Sequence, residues 1–488
     1  MINRSNRGYL WAAAAVSIVL FSVFKLFYPY PNMVMDSYVY LKGAVLHLGA
    51  NSFPIGYSKF LQLFDLFSKS AVLLVSLQYV FLESACMLLF FTLLYFFRLS
   101  KVATYIIFIF LFCNPLFLFI SNFIMSDALF TALSIYWITQ LIWIIGSPRS
   151  YMIWTHALLL FFAFAVRYNA LYYPVVASTF ILLSRLQIWF KVAGVLLQLV
   201  FIGAFVMYTR DEMKRLTGLQ QFSPFGGWQL ANNALYMYGH NYLEYNEPAP
   251  IKFHDLDSTV RRYFQRTRRT ESLLDYNAEG PGFYYMVSDN SPLKRYMIWR
   301  YGADTVFQNF KKWGPMGIIC SAYGSYLIKK HPLDFMRYWI GPNTIRYLYP
   351  PTEIFSMNSP YFLRDDDLGQ MARQTFDLKT LTVRWPLIQF RTNLLSFYPL
   401  FFTMLNLYFV AVFLGFCVFG SLKTNRIQSL ILLAIAFLWV CNLGFSITAS
   451  CVVLRYQLFI MIIQFAFAVL LTDYIWQSGS AAMVKTSA

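Results

Sequence analysis

Apolar runs of membrane-crossing length, separated by short polar connections, recur along most of this chain. They fall at 9–30, 71–97, 102–121, 127–146, 151–167, 170–184, 189–209, 394–420, 428–448 and 452–475. About 20 apolar residues in a helix match the ~30 Å hydrocarbon layer, so the pattern predicts ten spans. Between the seventh and eighth runs the pattern changes to a long polar segment. The chain therefore divides into an N-terminal block at 1–209 (about seven spans, first external loop 31–70), an insert at 210–393, and a C-terminal block at 394–488 with about three spans and a short tail. The predicted fold class is an all-α polytopic membrane protein of about ten helices with a mainly helical extracytoplasmic insert. Within the insert, Gly226-Gly227-Trp228, Gly280-Pro281-Gly282 and Tyr349-Pro350-Pro351 predict turns. The alternation of aromatics with Lys and Arg over 306–340 predicts helices lying at headgroup level.

Basic residues give the blocks a direction. Arg4 and Arg7, Arg98 and Lys101, Arg149, Arg185 and Lys191, Lys423 and Arg426, and Lys485 mark every second connection. Short basic connections stay cytoplasmic, which predicts both termini inside. The outer face then receives the loop at 31–70, the turns near 122–126 and 167–170, the insert, and the turn near 449–452. Arg4 and Arg7 precede the first run as in a signal peptide. That run continues through Phe21, Phe24 and Phe27 without a small-residue cleavage site, so it is expected to remain as a span.

Composition agrees with the pattern: 58% of the 488 residues are hydrophobic and only 12% are charged, against about 25% charged in soluble domains. The formal charge of +17 comes without zinc spacing, ribonucleoprotein motif or helix-turn-helix pattern, which excludes nucleic acid as the partner and points to phosphates or anionic headgroups. The six cysteines are scattered and read as small buried hydrophobes. No phosphate-binding loop, dinucleotide fingerprint or serine-hydrolase elbow occurs, and no two histidines stand at metal-ligand spacing.

The insert holds 23 of the 39 Lys and Arg and 17 of the 22 Asp and Glu. Five acids remain for the rest: Asp36, Asp65, Glu83, Asp127 and Asp473. A carboxylate near membrane depth is costly enough to be paired, hydrated or functional. Asp65 and Asp473 are expected to be solvated, and Glu83 to be either structural or a bundle-interior functional group. Asp36 and Asp127 both fall on the predicted outer face. Either is suited to cap a helix; together they suit a general base and a partner that tunes it. Arg167 and Arg455 lie at external ends of apolar runs, where they either snorkel to the headgroups or clamp a phosphate.

At these residues the chain resembles the GT-C class of integral-membrane glycosyltransferases, the group that includes protein O-mannosyltransferases and lipid A aminoarabinose transferases. Asp36 and Tyr40 open the first external loop; Pro54-Ile55-Gly56-Tyr57-Ser58-Lys59-Phe60-Leu61 follows. Pro115 precedes Met125-Ser126-Asp127, Arg167-Tyr168-Asn169-Ala170 is similar to an arginine-bearing segment of the class, and Arg455-Tyr456 heads the last span. The resemblance covers about 1–210 and 394–475. It implies sugar transfer from a polyprenyl-phosphate donor to a glycan, lipid or protein acceptor at the extracytoplasmic side of a bacterial inner (cytoplasmic) membrane. Asp36 would be the base, Asp127 the second carboxylate, Arg167 and Arg455 the donor-phosphate ligands, and Tyr40, Tyr168, Asn169 and Tyr456 their support. No DxD or ExD stands at the outer turn, so a divalent cation is left open as cofactor; Asp365-Asp366-Asp367 reads as a solvated loop or a cation site. A secondary transporter or lipid or polysaccharide flippase is the alternative, although no second copy of the first block is visible. A non-catalytic scaffold is a third reading, in which Asp36 and Asp127 are dispensable.

Overall fold

A computed structural model describes residues 6–245, 247–267, 282–302, 310–353, 367–378, 394–420 and 425–486. Among these the chain is helical, and strand-like pairing is confined to one isolated bridge between Asn32 and Phe123. The N-terminal block contains α1 (Arg7–Phe27), α2 (Met35–Val45), α3 (Gly56–Asp65), α4 (Ala71–Phe96), α5 (Lys101–Phe112), α6 (Pro115–Ser121), α7 (Ser126–Gly146), α8 (Met152–Val166), α9 (Tyr173–Leu183) and α10 (Ile188–Thr217). The insert contributes α11 (Pro224–Asn241), α12 (His254–Thr267), α13 (Tyr284–Val287), α14 (Pro292–Tyr301), α15 (Phe310–Lys330), α16 (Pro332–Phe335), α17 (Gly341–Leu348) and α18 (Asp367–Phe376). The chain closes with α19 (Tyr398–Gly415), α20 (Arg426–Ala449) and α21 (Leu454–Thr486).

Among the described residues eight helices are long and apolar enough to cross a membrane: α1, α4, α5 with α6, α7, α10, α19, α20 and α21. Each of the ten apolar runs is helical, but the two flanking Arg167 are shorter, at Met152–Val166 and Tyr168–Leu183. The run at 102–121 is interrupted. Pro115 has no N–H to continue the ladder, and Asn114 restarts it as α6 by accepting the Leu116 N–H at 3.0 Å. At the other end of the block, α10 overruns the boundary expected at 209. It ends where Gly218, at φ +79°, takes the left-handed conformation that stops a helix.

The insert has its own core, rich in aromatics and built around Trp228, Tyr236, Tyr238, Tyr285, Tyr323 and Trp339. Gly226-Gly227-Trp228, expected as a turn, lies inside α11. Pro224 and the Ser223 hydroxyl, which accepts the Gly226 N–H at 3.2 Å, start that helix instead. The glycines serve close packing: a Cβ on Gly227 would stand 1.9 Å from the Gly317 carbonyl oxygen, and one on Gly324 2.7 Å from the Ala231 nitrogen. Thus α11 and α15 touch backbone to backbone, in the manner of small-residue helix pairs. Tyr349-Pro350-Pro351 does follow a helix end, at Leu348, whereas Gly280 and Pro281 lie outside the described residues. Helices cover 310–330 and 332–348, with Leu333, Met336 and Ile345 exposed; 306–309 lie outside the described residues.

Two sets of hydrogen bonds tie distant parts of the chain together near one end of the bundle. After α1, Asn32 donates its N–H to the Asn122 carbonyl at 2.8 Å and accepts the Ile124 N–H at 3.0 Å. Gln78 of α4 reinforces that turn by donating to the Ser121 and Phe123 carbonyls at 2.9 and 3.0 Å, and itself accepts from the Tyr57 hydroxyl at 2.7 Å. In the insert, Asn343 donates to the Ile447 and Ser450 carbonyls, both at 3.1 Å, and accepts the Val452 N–H at 3.3 Å. The α20–α21 turn is therefore held by the insert.

Replacing Gly227 by Val should drive the side chain into the α15 backbone and cost about 1–3 kcal/mol, as overpacked sites do. Gly203→Ala, at a position with open space around it, should leave stability unchanged or slightly raised. Thermal unfolding of the detergent-solubilised protein compares the two.

Candidate functional site

Neither Asp36 nor Asp127 caps its helix. The cap positions are Val34 and Met125, and the Val34 N–H is satisfied by the Ser37 hydroxyl at 3.0 Å. Each aspartate is the second residue of its helix, where the N-terminal dipole favours a negative charge while the side chain stays available for other partners. The Asn32–Asn122 pairing brings the start of α2 beside the start of α7. Arg167 follows α8 in extended backbone, at φ −150° and ψ 133°. The start of α3 is wedged against the same helix end, since a Cβ on Gly56 would lie 2.5 Å from the Ala165 carbonyl. Arg455 is the second residue of α21, whose first N–H, from Leu454, is taken by the Pro351 carbonyl at 3.0 Å.

These backbones deliver five charged side chains to one place. Arg167 Nη1 donates to Asp127 Oδ1. Arg455 Nη1 donates to Asp36 Oδ2 at 2.8 Å and stands 3.7 Å from Asp127 Oδ2. Arg455 Nε donates to Glu353 Oε2 at 3.1 Å. Asp127 thus lies between two guanidinium groups, and Arg455 among three carboxylates. The Tyr456 ring packs against both cations, with guanidinium carbons 4.5 Å (Arg167) and 4.7 Å (Arg455) from its centroid. Tyr40 shares a 2.8 Å hydrogen bond with Ser126 beside Asp127 and meets Tyr57 edge-on at 4.9 Å. Burial pushes the Tyr40 hydroxyl up to about 12, which keeps it a neutral hydrogen-bonding group at physiological pH.

Exposure separates the roles. Asp127 and Arg455 side chains are 3% and 6% exposed, Arg167 13% and Glu353 18%, whereas Asp36 is 31% exposed. Asp36 is the carboxylate a dissolved or membrane-borne reactant would meet first. Asp127 is enclosed by the pairs it makes, so its strongest effect is to hold the two arginines in register. Of the remaining residues expected here, Tyr40 and Tyr456 join the cluster. Tyr168 packs instead against Phe222, with ring centroids 4.6 Å apart, and neither it nor Asn169 is hydrogen-bonded to the five charges among the described residues.

Glu353 was not foreseen; it belongs to the acid-rich insert. Its one local cue is Pro350-Pro351, read above only as a turn. Burial raises its pKa, opposed by the Arg455 charge. The other acids lie elsewhere: Glu83 accepts from Ser17 at 3.1 Å between α4 and α1, Asp65 pairs with Lys69 at 2.5 Å on an exposed surface, and Asp473 accepts the Ser100 N–H at 2.8 Å where α5 begins. Among the described residues no group of three or more His, Cys, Asp or Glu is arranged to hold a metal ion, and the three acids of the cluster face a guanidinium. Asp365 and Asp366, with the Asp367 side chain, lie outside the described residues.

Replacing Asp127 by Asn should strand Arg167 as a buried cation and destabilise the protein by about 3–5 kcal/mol, while Arg167→Gln in the same chain should recover part of that loss. Thermal unfolding of the two single variants and the double variant measures the coupling. The chain matches no protein-family model, no curated protein and no solved structure.

Proposed function

We propose that this protein is a GT-C-like glycosyltransferase of a bacterial cytoplasmic membrane, which moves a sugar from a polyprenyl-phosphate donor to a glycan, lipid or protein acceptor at the extracytoplasmic face. The observation that carries the reading is Asp36: a partly exposed carboxylate held 2.8 Å from an arginine that is itself fixed by two further acids. A general base must be reachable and oriented, and Asp36 is both. The order of the motifs along the chain, with Asp36, Asp127, Arg167 and Arg455 in one cluster, supports it further.

In this mechanism Asp36 takes the proton of an acceptor hydroxyl as its oxygen attacks the anomeric carbon from the face opposite the phosphate. The new C–O bond forms while the bond from the anomeric carbon to the phosphate oxygen breaks, so the configuration inverts. The bonding pair leaves with the polyprenyl phosphate, and the proton remains on Asp36. Negative charge grows on the departing phosphate, beside Arg455 and Arg167, the positive charges already fixed within the cluster. Asp127 acts as a positioning residue, because it keeps both guanidinium groups in place. Tyr456 excludes water from their flat faces.

The donor's tail needs an apolar path, and one lies between α19 and α20. It is a groove of about 350 Å³ lined by Leu407, Val410, Leu414, Trp439 and Leu443, with Leu348 of α17 at its rim. Tyr347 at the same rim donates to Asn442 at 2.9 Å, and Asn442 donates to Tyr172 at 3.0 Å. That chain leads back toward the helix end carrying Arg167. The groove would take the first isoprene units and leave the phosphate at the cluster.

Asp36→Asn keeps the shape and a hydrogen-bond acceptor for Arg455 but removes the base. Release of polyprenyl phosphate from a polyprenyl-phosphate sugar, followed in membranes that supply the acceptor, should fall by about 10²–10⁴-fold with thermal stability little changed. Undiminished turnover in a correctly folded variant would sink the assignment.

A further inference from the structure

Among the described residues the cluster contains three carboxylates and two guanidinium groups, so with all five ionised these carry one net negative charge. A site that receives a phosphodiester should not begin with that sign. One of the acids must therefore yield when the anion arrives.

Backbone geometry distinguishes the three. Asp36 and Asp127 are set in the first turns of α2 and α7, and both share Nη1 of Arg455. Glu353 follows α17, two residues beyond the Pro351 carbonyl that accepts the Leu454 N–H. Its φ is +46°, a left-handed conformation that a side chain with a Cβ adopts at a cost. A strained residue of this kind persists where its surroundings over-determine it, and the bond to Arg455 is one such constraint. Burial also works against its charged form. Glu353 is the carboxylate that the fold gives up most readily.

Its position on the arginine matters as much. The Nε–H belongs to the side edge of the guanidinium, and bidentate recognition of a carboxylate or a phosphate commonly uses that edge. Glu353 takes that N–H at 3.1 Å, while Nη1 serves the two aspartates. Moving Glu353 aside would open this edge and bring the charge of the remaining four groups to zero.

We infer that Glu353 is a resident competitor for the donor phosphate: its carboxylate holds the Nε edge of Arg455 until a lipid phosphodiester takes its place. The inference rests on the reading of this cluster as the donor site. It assigns Glu353 a part in donor affinity and makes the Pro350–Glu353 segment the piece that responds to donor binding. The exchange is non-covalent, one anion replacing another on the same N–H.

The test uses the purified full chain in phosphatidylcholine nanodiscs and farnesyl methyl phosphodiester, a probe whose single negative charge stays fixed across the working pH range. Glu353→Gln keeps the size and removes the charge, so the diester should bind about tenfold more tightly than to the unaltered protein, as expected when a neighbouring like charge is lost. Glu247→Gln, at an exposed carboxylate of the insert paired with Lys330, should bind as the unaltered protein does. A nitroxide on Thr352→Cys should gain mobility when the diester is added to a chain that retains Glu353; Cys113 and Cys417, exposed rather than buried as expected, and half-buried Cys441 are first replaced by Ser. This second readout stands even if Glu353→Gln folds poorly. Binding to the unaltered chain with no gain in Glu353→Gln, or with no change in label mobility, overturns the competitor role and leaves the donor-site reading in place. Absence of binding to both forms overturns the two together.

Discussion

A guanidinium group brought out of water must find its counter-charges inside the protein, and the arrangement around Arg455 follows from that requirement. Its side chain is 6% exposed. Three carboxylates from three separate stretches of chain converge on it, one from α2, one from α7 and one from the insert. Desolvation makes each pair expensive to form and more expensive to break singly. The cluster therefore works as a register mark. Satisfying all its members requires α2, α7, α21 and the segment after α17 to meet at one point. Asp127, shared with Arg167, extends the same constraint to the end of α8.

Much of this was legible because acids are rare outside the insert. With five carboxylates in the rest of the chain, the alternation of basic connections was enough to single out Asp36 and Asp127 as facing one side with Arg167 and Arg455. Proximity of the four follows from contacts no periodicity reveals, chiefly the Asn32–Asn122 pairing and the Leu454–Pro351 bond. Glu353 stayed hidden for the opposite reason. In a segment rich in acids one more carries no signal, and its partner lies 102 residues away.

The fold was legible to a similar depth. Among the described residues hydropathy located the eight long apolar helices and the two shorter ones, and local chemistry then altered the ends. Asn114 and Pro115 split one run into two helices, and Gly218 rather than the loss of hydrophobicity ended α10. The misreading of Gly226-Gly227 as a turn has a clear cause. Glycine breaks helices through its freedom, but against a second helix its missing side chain is what counts, and the contact with Gly317 outweighs the entropy.

The 3.0 Å bond between the Pro351 carbonyl and the Leu454 N–H gives the cluster a place in time as well as in space. Synthesis runs from the N-terminus, so Asp36, Asp127, Arg167 and Glu353 are all made before Arg455. Until the last span arrives, three acids face a single arginine. Arg455, carried by α21, halves that excess charge. A chain cut before α21 therefore keeps three acids against one arginine, and the cluster waits on α21 to assemble.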